Sequence, residues 1–177
     1  LLDLKDRGAA AEAAERWDDA IKHYRQALEI DALVLFATEG VERATPRADL
    51  DARLEKIPAE RDRLIDARIM GLAQQTLAEA EAIVDPGPRL QSQITAARET
   101  IGYAATPVSV TLTSDGDTDI TLLRVRRLGT VAEQVLSLRP GVYTAVGVRT
   151  GYRDVRVKFE VRPGQTNTVD VRCVEAI

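Results

Sequence analysis

The sequence predicts an α+β protein: N-terminal helical hairpins followed by a small all-β sandwich. Three observations predict it. Up to about Gly102 the chain is rich in Ala, Glu, Arg and Leu, with apolar residues at helical spacing. After Thr106-Pro107 it turns Val-, Thr- and Gly-rich, with two-residue alternation. Between the helical patterns, Asp85-Pro86-Gly87-Pro88 is a strong stop. The expected division is a helical segment over residues 1–102 (a hairpin over 1–45, an antiparallel stalk over 48–102) and a β-sandwich over residues 103–177.

Composition bounds the function. With 177 residues there is room for one ordinary domain or two small ones, and 45% hydrophobic with 29% charged residues marks a folded chain. Aromatics make up only 4%, so the cores must be built from Leu, Ile, Val and Ala. The net charge of −4 is uneven: residues 1–102 carry 14 Lys+Arg against 20 Asp+Glu, and residues 103–177 carry 10 against 8. Neither half has the basic bias of a nucleic-acid binder. One cysteine, Cys173, excludes an intrachain disulfide and a cysteine metal cage. No apolar run approaches the ~18 residues of a membrane span, and no signal-peptide pattern is present. Opening at Leu1 already in helical pattern, the chain is expected to be a fragment, with any membrane anchor upstream.

Taken in order, Ala9 to Ala14 predict a first helix and Glu15–Asp19 a break. A second helix places Ala20, Tyr24 and Ala27 on one face. Val34 to Ala44, with Gly40, suggests a third helix that Pro46 interrupts. From Ala48 to Val84 helical spacing continues through Leu50, Leu54, Ile57, Ile69, Leu72, Leu77 and Ile83, and Pro58 is expected to start a new helix. Leu90, Ile94, Ala97 and Ile101 then form a narrow stripe, so a long helix folded back on a shorter one is the expected stalk, and self-association is left open. The β half shows six or seven short strands. Val108 to Leu112 alternate up to a tight turn at Asp115-Gly116, and Ile120 to Leu128 form one strand. Val135 to Leu138, Val142 to Val148, Val155 to Val161 and Val169 to Cys173 follow, separated by Pro-Gly or Gly turns.

The stretch from Arg16-Trp17-Asp18-Asp19-Ala20 through Tyr24, Ala27 and Asp31 resembles the tetratricopeptide repeat, over about one 34-residue unit, although Ala32 stands where its proline would follow. One repeat cannot bury its apolar face alone, so the resemblance implies the end of an array or a lone hairpin. Leu138-Arg139-Pro140-Gly141-Val142-Tyr143, Thr150-Gly151-Tyr152-Arg153 and Val161-Arg162-Pro163-Gly164 resemble a PEGA-type domain over residues 106–175. Arg126-Arg127-Leu128-Gly129 stands where that family's name motif would fall. The resemblance implies a bacterial β-sandwich of envelope and surface proteins, which would place the chain in the periplasm or envelope.

Few residues carry chemistry. His23 is the only histidine and sits beside the packing face of its helix, with no partner cue for a triad. Asp115-Gly116-Asp117-Thr118-Asp119 begins like a calcium loop, but an EF-hand needs glycine sixth and an acid twelfth, where Ile120 and Arg126 stand. A solvated hairpin turn is the expectation. Acids and bases in the helices fall at i, i+4 spacing, as in Glu12–Arg16 and Glu39–Arg43. There is no Gly-rich phosphate loop, no H-E-x-x-H and no G-x-S-x-G. No catalytic, cofactor-binding or metal-ligating residue is therefore predicted, and a non-enzyme is expected.

What remains is a surface. Arg124, Arg126, Arg156 and Lys158, with Tyr143 and Tyr152, form the candidate interaction face. Arg156 and Lys158 alternate with Val155, Val157 and Phe159 and so point outward. Such charges keep a sheet soluble, or they dock an acidic partner. The tyrosines serve as packing residues beside glycine turns or as exposed anchors. The function expected is a protein–protein interaction or scaffold segment of a larger bacterial envelope protein. The rivals are a cell-wall polysaccharide-binding module and the regulatory tail of a larger membrane-bound enzyme.

Overall fold

The computed structural model describes all 177 residues and has the α+β architecture: five α-helices precede seven strands. The chain divides into two units, one of residues 1–60 and 70–100, the other of residues 61–69 and 101–177.

In the first unit, α1 (Leu2–Ala13), α2 (Trp17–Ile30) and α3 (Leu35–Ala59) pack around small residues. Ala11, Ala20, Ala27, Ala37 and Ala44 are buried, and Tyr24 is the large side chain at their centre. Its ring lies between α1 and α3. A Cβ on Gly8 would stand 2.4 Å from that ring, and one on Gly40 would stand 2.5 Å from it. Two glycines thus make the slot that one aromatic fills, which is how a chain poor in aromatics closes this core.

Two expectations fail at the prolines. The break expected at Pro46 is absent, because α3 runs unbroken through it to Ala59. Pro46 leaves the Glu42 carbonyl without its helical donor, but both residues are exposed, so water replaces the lost bond. Pro58 lies in the last turn of α3 instead of starting a helix. The chain then makes a 3-10 turn (Arg61–Ile65), and Asp66 caps α4 (Ala67–Glu81) by accepting the N–H groups of Arg68 and Ile69. With α5 (Pro88–Ala105), residues 48–102 are the second half of α3 and two further helices, not the two-helix stalk expected. Within the first unit, Arg53 joins α3 to α4 through a bidentate pair with Glu79 at 2.8 and 2.9 Å. Arg89 joins α5 to α3 through Asp51 and Glu55.

The second unit is a two-sheet sandwich. β1 (Val108–Thr113) lies between antiparallel β4 (Glu133–Leu138) and parallel β7 (Asn167–Asp170). The other sheet is antiparallel, in the order β3 (Arg126–Thr130), β2 (Asp119–Leu122), β5 (Gly141–Val148), β6 (Val155–Val161). Inward residues Val110, Leu112, Ile120, Leu122, Leu136, Leu138, Ala145 and Val161 form the core, and Ile65 of the 3-10 turn packs against it. Two local expectations are corrected. Residues 120–128 are not one strand: Leu123–Val125 turn the chain back, with Arg124 at φ 61°, to make the β2–β3 pair. Asp115-Gly116 does not close a hairpin, because β1 and β2 belong to different sheets and the loop carries the chain between them.

Two substitutions separate slot glycines from a free one. Gly40→Ala is expected to cost about 1–3 kcal/mol, because its methyl group meets the Tyr24 ring. Gly71→Ala, in α4 with nothing within 4 Å, is expected to stabilise by about 0.5–1 kcal/mol. Urea unfolding of both variants checks the pair, and equal effects would remove the slot explanation.

Candidate functional site

The six residues of the expected interaction face do not share one surface. Along β5, Leu123 of the β2–β3 turn donates its N–H to the Thr144 carbonyl at 3.0 Å. Opposite residues in register are Val146–Arg156, Thr144–Lys158 and Val142–Glu160. Arg156 and Lys158 therefore lie on the outer face of the four-stranded sheet, beside the β-branched stripe Val142, Thr144, Val146 and Val148. Val142 and Val148 are 49% and 48% exposed. Arg126 pairs in register with Leu122, a core residue, so it sits on the opposite side of the edge strand. Arg124 occupies the β2–β3 turn.

Both tyrosines are held by neighbours. Tyr143 is 8% exposed, stacks on Phe159 at 5.8 Å between centroids and donates its hydroxyl to the Arg139 carbonyl at 2.9 Å. Burial pushes its pKa up. Tyr152 lies under the Arg149 guanidinium, 4.4 Å from the ring centroid, and bridges to Ala176 of the C-terminal tail. Tyr143 is thus a core residue, while Tyr152 keeps a partly exposed ring.

Charges in the β unit divide into satisfied and unsatisfied sets. Arg127 pairs with Asp119, Arg153 with Glu175, Arg162 with Glu160 and Arg172 with Asp170. Arg149 spans Asp115 at 3.1 Å and Asp117 at 2.9 Å. Arg124, Arg126, Arg139, Arg156 and Lys158 meet no carboxylate, and of these Arg156 and Lys158 share the outer face of the four-stranded sheet.

The acidic loop spends its oxygens on its own chain. Asp115 accepts the N–H groups of Thr118 (2.8 Å) and Asp117 (3.0 Å) and the Thr118 hydroxyl (3.1 Å). Those hydrogen bonds, led by the Thr118 amide and helped by Arg149, hold its carboxyl at about 2, against 3.8 in an unconstrained aspartate. Thr118, fully buried, accepts the Cys173 N–H, and the Cys173 thiol donates to the Gly147 carbonyl. The D-x-D-x-D segment is therefore an arginine-clamped loop that locks β1, β2 and the C-terminal tail together.

The helical unit has its own polar centre, which the sequence did not announce. Glu15, in the α1–α2 turn at φ 53°, is buried, and its carboxylate accepts the N–H groups of Arg89 (2.7 Å) and Leu90 (3.2 Å) at the start of α5. Arg47 stands 3.7 Å away, over the Trp17 ring. Glu15 thus caps a helix more than seventy residues further along the chain. A Cβ on Gly87 would stand 2.4 Å from that carboxylate. The expected Glu12–Arg16 pair does not form, because α1 ends at Ala13; Glu12 faces Arg43 at 3.5 Å, and Arg16 pairs with Asp19. Glu39 and Arg43 pair at 4.0 Å as their spacing indicates. His23 is half-buried, with a buried Nδ1 that has no hydrogen-bond partner. No three His, Cys, Asp or Glu side chains gather to hold a metal ion, and no helix is long and apolar enough to cross a membrane.

Sequence reasoning missed Glu15, Arg149 and the glycine pair. A signal existed for the last: Gly8 and Gly40 stand sixteen residues either side of Tyr24. For Glu15 there was none, since its partner amides are so remote. Compared with known proteins, the chain matches no family model and no curated protein sequence.

Two outcomes follow for stability. Because the folded pKa of Asp115 is depressed, its contribution is present above about pH 3.8 and is lost as pH falls through about 2. Asp115→Asn should be less stable at neutral pH yet lose less between pH 4 and pH 2, read by acid titration of the circular dichroism signal. Glu15→Ala should lower stability by about 1–2 kcal/mol, and Asp18→Ala, which holds no such amides, should leave it within about 0.5 kcal/mol, in denaturant unfolding.

Proposed function

We propose that the chain is a non-enzymatic protein-binding or scaffold segment of a bacterial envelope protein, and that its contact surface is the outer face of the four-stranded sheet. The observation that carries this is the contrast in charge pairing. Arg127, Arg149, Arg153, Arg162 and Arg172 each hold a carboxylate, whereas Arg124, Arg126, Arg139, Arg156 and Lys158 hold none. Of these, Arg156 and Lys158 lie together on the outer face beside the valine stripe of β5. Two unneutralised cations next to a β-branched face favour an acidic partner that also presents aliphatic side chains. The envelope setting rests on the resemblance of residues 106–175 to PEGA-type domains.

The polysaccharide reading draws less support, because Tyr143 is buried and the partly exposed ring of Tyr152 already lies under the Arg149 guanidinium. The candidate residues bring together no nucleophile and base, which favours binding over turnover.

The full chain and its Arg156→Glu, Lys158→Glu double variant should be compared as baits in a bacterial lysate. Expected is at least one acidic protein held by the wild type and weakened about tenfold or more by the variant. Identical capture by both chains would remove this face as the contact.

A further inference from the structure

We infer that the sheet face works by strand addition: an extended, acidic segment of a partner protein pairs antiparallel with the open edge of β6. The inference rests on the protein-binding reading above and specifies its geometry. Four strands of the sandwich are sheet edges, of 5, 6, 7 and 4 residues, and β6 is the longest.

The phase of β5 decides which backbone groups of β6 are open. In a strand, a residue's N–H and C=O point to the same side, and successive residues alternate. Because the Thr144 carbonyl is taken by Leu123, Thr144 and Val146 hydrogen-bond toward β2, and Tyr143, Ala145 and Gly147 toward β6. Their register partners Phe159, Val157 and Val155 then bond back to β5. The N–H and C=O groups of Arg156, Lys158 and Glu160 consequently point away from the sheet, and no other segment pairs with them. Arg156 and Lys158, the cations of the outer face that meet no carboxylate, are thus two of the three residues with open backbone groups.

The opposite face of the same strand gives a second, independent indication. Val155, Val157 and Phe159 point toward the core, yet all three are only half-buried. A strand laid along β6 would cover them. Its residues on that side must be apolar, and its residues on the outer side must be acidic to meet Arg156 and Lys158. The partner segment is therefore a short run of alternating Asp/Glu and Val/Ile.

The test uses the full chain and three labelled eight-residue peptides: alternating Glu/Val, a scrambled version of it, and alternating Lys/Val. Anisotropy measures binding, and amide hydrogen exchange reports on individual residues. Expected is binding of the Glu/Val peptide at least about tenfold tighter than of the other two, with slowed exchange at Arg156, Lys158 and Glu160. Lys158→Ala should weaken it about threefold, and Lys158→Pro, which also removes an open edge donor without touching a bond to β5, by well over tenfold. Normal circular dichroism confirms that the proline variant is folded, and slowed exchange in the wild type reads the edge without any variant. If the Glu/Val peptide binds but those amides exchange as before, strand addition is wrong while the charged face survives. If no acidic peptide binds, both readings fall. Protection of the same amides that rises with protein concentration and no peptide would assign the edge to a second copy of the chain and overturn the inference.

Discussion

One hydrogen bond, from the Leu123 amide to the Thr144 carbonyl, sets the phase of the central strand β5, and the exposed chemistry of the β unit follows from it. With Thr144 committed to β2, the alternation of the backbone leaves no freedom for its neighbours. Tyr143, Ala145 and Gly147 must face β6 with their peptide groups while the side chains of Tyr143 and Ala145 enter the core. Val142, Val146 and Val148 must face outward. A slip of one residue would bury Lys158 and expose Phe159, at a desolvation cost that no partner in the core could offset. The same phase that satisfies the core therefore produces an outer face of valines and two free cations.

The helical unit is held by a different logic. With few aromatics available, it relies on close backbone approach and on remote polar clamps. The Tyr24 ring fits only because Gly8 and Gly40 lack side chains, and the start of α5 is held because Glu15 answers its free amides. Burial works against ionised Asp51, but hydrogen bonds from Arg89 and Gln93 outweigh it and leave its pKa below the usual value. Several acids and bases of this unit pair between helices, as Arg53 with Glu79 and Arg89 with Asp51, so part of its charge is structural. Most of these pairs are exposed and individually weak; their value lies in fixing which helix faces meet.

That contrast gives the charge of the β unit its meaning. Where arginines are engaged by aspartates, as at Arg149, they rigidify a loop that otherwise resembles the beginning of a cation site. Where they are not, as at Arg156, they remain available. Composition treats the two alike. Only the position of the nearest carboxylate distinguishes a clamped arginine from an unpaired one.

The sequence by itself determined the α+β order, the apolar faces of α2 and α5, and the outward direction of Arg156 and Lys158, because helical and strand periodicities are local properties. It misread Pro46, since the tolerance of a proline depends on whether the carbonyl it abandons reaches water. It misread residues 120–128 because a reversal at Leu123–Val125, with Arg124 in a left-handed conformation, carries no glycine or proline signal. It left Tyr143 between a packing residue and an exposed anchor, and the phase of β5 sends that ring inward against Phe159. Glu15 capping α5, Arg149 closing the acidic loop and the open edge of β6 were decided by the tertiary structure alone, because each depends on which remote backbone groups are brought near and which are left without a partner.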